Sequence, residues 1–290
     1  MFWDAINTII NIIVAIFSIS RKPPKHIIGD DDVGEFNLPY YAELLDGTSE
    51  SQHLIAIKEL CEYARNNKSY NNVICEMLCS HVKRINAFEV SKVSGDFGNS
   101  SEIKKILDIL FVDDSIFKEE QKDLQNTVFV NWKLSKKNSI RNVNFSGSRF
   151  LNCEFHDVVL YNCKMSEAVI DNCTFKNGTE FNKCLLNNAF FRNNTLFRNV
   201  VMKDTTFKGA KIADVQFVRT DLDGIIFYNA EISNSIFINC EINRADFTYV
   251  DFYKVLLKFK SLELMRAQIK YFDSQDLNYI ADVNSYTILL

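Results

Sequence analysis

Proline is scarce, with 3 in 290 residues, and the formal net charge is only -4. No block leans strongly to one sign, which argues against a nucleic-acid-binding stripe and against an extended acidic surface. There are four histidines, His26, His53, His81 and His156, and none sits within a paired nucleophile or carboxylate pattern. A glycine-rich phosphate loop, a metal-ligand quartet and a nucleophile elbow are all missing. The chain therefore reads as non-enzymatic, with no cofactor and no metal. The eight cysteines form no disulfide-like framework. Cys75, Cys79 and His81 invite a metal reading, but the two cysteines stand one helical turn apart without a matching second pair, so they read as core or helix-surface residues.

One long apolar run is present, Met1 to Ser20, followed at once by Arg21, Lys22 and Lys25. A helix from Phe2 to Ser20 would span about 28 Å, close to a bilayer's hydrocarbon core. Positive charge after the run, with no small-residue cleavage site, is the reverse of a secretory signal. The expectation is a single-pass anchor in the cell membrane, N-terminus outside and body in the cytoplasm. A buried or interfacial helix is the alternative, because Asp4, Asn7 and Asn11 interrupt the run. Together with Thr8, Ala15 and Ser18 these residues follow three-and-four spacing, so a helix would gather them into one stripe suited to another helix. Asp4, Asn7 and Asn11 are thus the candidate membrane-helix interface.

Residues 21–48 hold Pro23, Pro24 and the run Asp30 to Asp32, and read as a polar linker. Helical periodicity then begins. Ser49 and Gln52 make a capping-box-like start ahead of Leu54, Ile57, Leu60, Cys61 and Ala64. A second helix over about 71–85 and a third over about 101–111 carry single apolar faces. Residues 49–125 are therefore expected to form a small HEAT-like helical cap.

From Phe145 onward a large apolar residue recurs every five positions. Seven units run to Phe175, three from Phe181 to Phe191 and thirteen from Phe197 to Leu257, which makes 23 units with two one-residue slips. A small or β-branched residue stands two places before most centres, as at Val143, Ser148, Cys153 and Ala168. Asn, Asp or Gly commonly stands two places after, as at Gly147, Asn152 and Asp157. A period of five is neither a helix face nor a simple strand. It suits a chain that takes a short extended step and then turns a corner on a turn-forming residue. Centre and small residue point inward, which accounts for Cys153, Cys163, Cys173, Cys184 and Cys240 without redox or metal chemistry.

The triplets Ala245-Asp246-Phe247, Thr220-Asp221-Leu222 and Val250-Asp251-Phe252 resemble the consensus of the pentapeptide repeat proteins, from which Leu185 and Phe190 depart. The resemblance implies a mainly β fold: a right-handed quadrilateral β-helix over residues 138–257, preceded by the helical domain and the transmembrane helix and followed by a tail over 258–290. Four units per coil, as the family implies, stack Phe155, Phe175, Phe197, Phe217 and Phe237 in one column. The helical segment is also similar to a region found ahead of the repeats in some bacterial membrane-anchored members.

Apolar residues on an outward position single out an interface. Leu185, Phe190, Leu196 and Val201 circle one middle coil, and Val218, Ile236, Ile238 and Leu256 lie on one face toward the C-terminal end. Either the tail folds back over this face and the open strand edge, or a second copy pairs through it, with a dimer favoured. Two functions remain open: a membrane-tethered scaffold that binds a protein partner, or a membrane-acting effector of a bacterial stress or anti-phage system whose N-terminal helix oligomerises. The DNA mimicry of gyrase-protecting members requires an acidic rod, whereas acidic and basic residues nearly balance here.

Overall fold

The computed structural model describes residues 36–91, 100–111, 116–136, 138–242, 244–260, 265–266, 272–273 and 279–290. The chain divides into two compact units, Met1–Tyr63 and Ala64–Leu290.

In the first unit, helix α1 spans Leu38–Asp46. Asn37 caps it, accepting from the Tyr40 N–H at 3.1 Å, and Pro39 sits in the first turn, where its missing N–H costs no bond. The Gly47 N–H closes the other end on the Glu43 and Leu44 carbonyls. The expected linker 21–48 thus ends in a capped helix, and the Asn-x-Pro start was its signal. Helix α2 (Glu50–Asn66) buries Ala56, Ile57, Leu60 and Cys61, as its periodicity requires, and the Phe36 ring stacks on Tyr63.

The second unit opens with a 3₁₀ turn, Lys68–Tyr70, followed by α3 (Asn71–Ser91) and α4 (Ser101–Phe111). Helix α3 runs six residues beyond the expected end at Ile85. The β-helix then begins at Lys122, not near 138: Leu124, Phe129, Leu134 and Ile140 are buried centres of a complete coil that the expected helical domain had partly absorbed. This coil was obscured because Lys122, Trp132 and Asn138 occupy the places where small residues normally stand.

Four parallel ladders wind around the axis, and a seven-stranded sheet from Val128–Val130 to Asp251–Tyr253 shows that there are seven coils. The aromatic column has the expected register, Phe155↔Phe175↔Phe197↔Phe217↔Phe237, with rings 4.7–5.1 Å apart and within 11° of parallel. Corners are turned by residues with left-handed backbone, mostly Asn, where the penalty of positive φ is smallest. The two slips between Phe145 and Leu257 are each absorbed at a corner by two consecutive left-handed residues, Asn177-Gly178 and Asn193-Asn194.

The inward residues before the centres share one task. Ser148, Thr179, Thr205 and Thr220 donate their hydroxyls to centre-residue carbonyls of the preceding coil, at 2.8–3.2 Å. Cys153, Cys163, Cys173, Cys184 and Cys240 donate their thiols in the same way at 3.3–3.5 Å. A small side chain with one donor fills the corner and ties two coils together, so Cys, Ser and Thr are interchangeable there.

The membrane expectation requires correction. Among the described residues no helix is long and apolar enough to cross a membrane, so single-pass localisation has no support. Met1 to Ser20, with the stripe of Asp4, Asn7 and Asn11, lies outside the described residues.

Candidate functional site

A parallel β-helix exposes a row of backbone donors and acceptors at each end, and here a helix and a hairpin each cover part of one end. At the N-terminal end α3 lies against the first coil. Its Lys83 pairs with Asp123 at 2.7 Å, and Asn86 both donates to the Val128 carbonyl at 2.6 Å and accepts from the Val128 N–H at 2.9 Å. Two turns before Lys83 on the same stripe, Cys75 faces the Gln121 carbonyl at 3.9 Å, and Cys79, between them on the helix, is buried. His81 turns elsewhere, bonding Glu102 at 2.5 Å through Nε2 and Arg84 at 2.8 Å through Nδ1.

At the C-terminal end the tail folds back as a hairpin. Thr287–Leu289 pairs antiparallel with the last-coil strand Leu256–Lys258, and Ile280–Asp282 pairs antiparallel with Thr287–Leu289. This adds two strands to the seven parallel ones of that face. Much of the tail between Ser261 and Asn278 lies outside the described residues.

The outward apolar residues lie on the long sides. Leu185, Phe190 and Val201 are exposed and Leu196 is half-buried, but the four lie on four different ladders and share no face. Val218, Ile236, Ile238 and Leu256 do share one face with Leu196, all half-buried by the ladder neighbours above and below. Register extends this column onto the tail: Leu256 is paired with Leu289, and Leu289 with Ile280. Leu289 and Ile280 are 44% and 71% exposed, so the hairpin lengthens the apolar face and leaves it open. The ending Tyr286-Thr287-Ile288-Leu289-Leu290 allowed a tail that folds back, but nothing in the sequence fixed the strand's partner. A second surface that sequence reasoning missed is aromatic: Tyr249 and Tyr253 are exposed, with Tyr228 packed edge-on to Tyr249.

The interior groups respond to burial in opposite directions. Burial lowers the pKa of the Lys122 ammonium, against the opposing influence of the nearby Cys75, Cys79 and Cys163 thiols. The Cys79 thiol is held well above its ordinary range, first by its hydrogen bond to Cys75 and then by burial. Burial pushes Cys240 up to about 12. On the surface the Arg244 guanidinium draws the Asp223 carboxyl below its usual value. His53 bonds the Gly47 carbonyl at 2.9 Å, and His156 stands on the rod's outer surface against Asn177. His26 lies outside the described residues.

Comparison with known proteins agrees with the repeat. Residues 139–177 match the family model of pentapeptide repeats, in eight copies. Among solved structures the chain is similar to HetL, a pentapeptide repeat protein involved in heterocyst differentiation regulation from the cyanobacterium Nostoc sp.. The identity is 12% over 44% of this chain and 63% of that one, with a TM-score of 0.29. It is similar as well to a trypsin-treated form of QnrB1, a plasmid-mediated fluoroquinolone resistance protein, at 18% identity over 52% of this chain and 87% of that one, TM-score 0.30. A third, the pentapeptide repeat protein Rfr23 from the cyanobacterium Cyanothece, gives 10% over 43% and 86%, TM-score 0.26. No curated protein matches.

Proposed function

We propose that this pentapeptide repeat protein is a non-catalytic scaffold that binds a protein partner through the long face of its β-helix, the partner being a second copy of the chain. The observation that carries the reading is the continuity of one apolar column. Ile236, Leu256, Leu289 and Ile280 follow one another across parallel and antiparallel strands, with Ile238 beside them and Val218 next to it on the preceding coil, while Gln216 separates Leu196 from the column. A flat sheet face of this kind is self-complementary under a two-fold axis, and burying it removes apolar surface from water at about 25 cal/mol per Å². The circling residues Leu185, Phe190 and Val201 do not join this face.

Light scattering on the purified chain tests the reading. The unaltered chain should be a dimer, and I236D/I238D a folded monomer with unchanged circular dichroism. An unaltered chain that is monomeric, or a double variant that stays dimeric, would rule out self-pairing through this face.

A further inference from the structure

We propose that Tyr249 and Tyr253, on either side of Asp251 in the last coil, form a stacking platform for a neutral, extended oligosaccharide of β-linked pyranose rings. The first observation is backbone strain without burial. Tyr249 turns the corner before the strand Asp251–Tyr253 with φ +57°, a place held in most earlier coils by Asn or Gly, as at Gly147, Asn188, Gly209 and Asn229. A bulky residue is an outlier in this conformation, and proteins keep such strain mainly where a ligand is gripped. The ring gains little cover in exchange, since Tyr249 is 75% exposed.

The second observation is a matched ring on the same strand. Tyr253 is 57% exposed and stands where the preceding coil has Ser233. Four residues of near-extended chain set the two attachment points at most about 13 Å apart, a span that a few linked pyranose rings cover. Each ring is held by one neighbour: Tyr228 meets Tyr249 edge-on at 5.5 Å, and the Lys254 ammonium lies 4.9 Å from the centre of the Tyr253 ring. Rings braced in this way lose little freedom on binding. The platform belongs to the seven-stranded sheet, whereas Ile236 and Ile238 belong to the nine-stranded one, so it stands apart from the self-pairing face.

The surroundings choose the ligand. Asp251 lies between the tyrosines, its partner in register is Glu231, and Asn229 turns the same corner one coil earlier. A pyranose with equatorial hydroxyls offers a flat face of slightly positive C–H groups to the negative face of an aromatic ring, and its rim of hydroxyls needs donors and acceptors such as these. The anchor of a protein interface would instead sit in a well-packed pocket that excludes water. Asp251 is offset by Lys254, and Glu231 is paired with Lys211 at 3.1 Å. These four charges cancel, which favours neither an acidic sugar nor a nucleic acid. A β-linked chain is straight and keeps successive rings in one plane, as two rings on one strand require; an α-linked chain curves away.

Isothermal titration calorimetry of the purified full-length chain with cellohexaose, chitohexaose and maltohexaose tests the proposal. At least one of the two straight β-linked chains should bind, and at least tenfold more tightly than the curved α-linked maltohexaose. Y249N/Y253S, which installs the residues of the preceding coil and so keeps the fold, should lose at least tenfold in affinity. Y249N alone should also bind more weakly while melting at no lower a temperature, because the strained corner is relieved. Y249F/Y253F should bind within threefold of the unaltered chain, since stacking needs the ring and not the hydroxyl. I236D/I238D should bind the sugar unchanged, whatever its oligomeric state. Absence of binding to both β-linked chains, equal affinity for maltohexaose, tighter binding of oligothymidylate, or full affinity in folded Y249N/Y253S would overturn the proposal.

Discussion

The side-chain amide of Asn86 meets both backbone polar groups of Val128, donating to its carbonyl at 2.6 Å and accepting from its N–H at 2.9 Å. One helix residue therefore does for the first coil what a neighbouring strand would do. It closes an edge that otherwise invites pairing with another chain. Replacing Asn86 by Leu should destabilise the fold by about 2–4 kcal/mol, since two backbone groups lose their partners. Urea denaturation measures the loss, and light scattering should show concentration-dependent association through the reopened edge. A variant as stable and monodisperse as the parent would show that water satisfies Val128 equally well.

Phe197 sits in the aromatic column between Phe175 and Phe217, with ring centroids at 4.9 and 5.0 Å. Phe197→Ala should cost about 3–5 kcal/mol, because neighbouring coils cannot close around the cavity without breaking register. Lys208 is exposed and contributes a contact over the Tyr228 ring at 5.2 Å, so Lys208→Ala should cost under about 1 kcal/mol. Paired chemical-denaturation curves decide, and similar losses would reverse the assignment of inward and outward positions.

Two corner glycines separate backbone strain from crowding. Gly147 has φ +68° and an added Cβ would run into the Asn126 side-chain oxygen, whereas Gly224 has φ +71° and open space around it. Gly224→Ala should lose about 1–2 kcal/mol, the cost of a left-handed alanine. Gly147→Ala should lose more, because the Asn126 side chain must also move. Equal melting temperatures for the two variants would show that Asn126 yields freely.

Stability should fall at alkaline pH. The folded Cys240 pKa, at about 12, lies above the unfolded thiol value of about 8.5, so its stabilising contribution is complete below the unfolded value and is lost as pH rises toward 12. Cys240→Ala should flatten the decline of unfolding free energy between about pH 9 and pH 12, measured by urea denaturation at each pH. An unchanged slope would mean that Cys240 ionises equally easily in both states.

What the sequence determined by itself is the repeating cross-section of this protein. A large apolar residue every fifth position, with a donor or small residue two places before and a turn former two places after, specifies which side chains go inward and where the chain turns. Each of these choices is local. Tertiary structure decided what lies at the two ends and which outward residues meet. The first coil was hidden because Lys122 and Trp132 break the small-residue rule, and a lysine is admitted there only because the Glu120 and Arg141 carbonyls receive its ammonium. Helix α1 was legible in Asn37 and Pro39, yet the polar composition around it argued for a linker. The pairing of Leu289 with Leu256, which carries the apolar face onto the tail, depends on the register between segments more than thirty positions apart. Five-residue periodicity fixes the register of each coil on the next, but it holds no information about where a chain that has left the repeat will return.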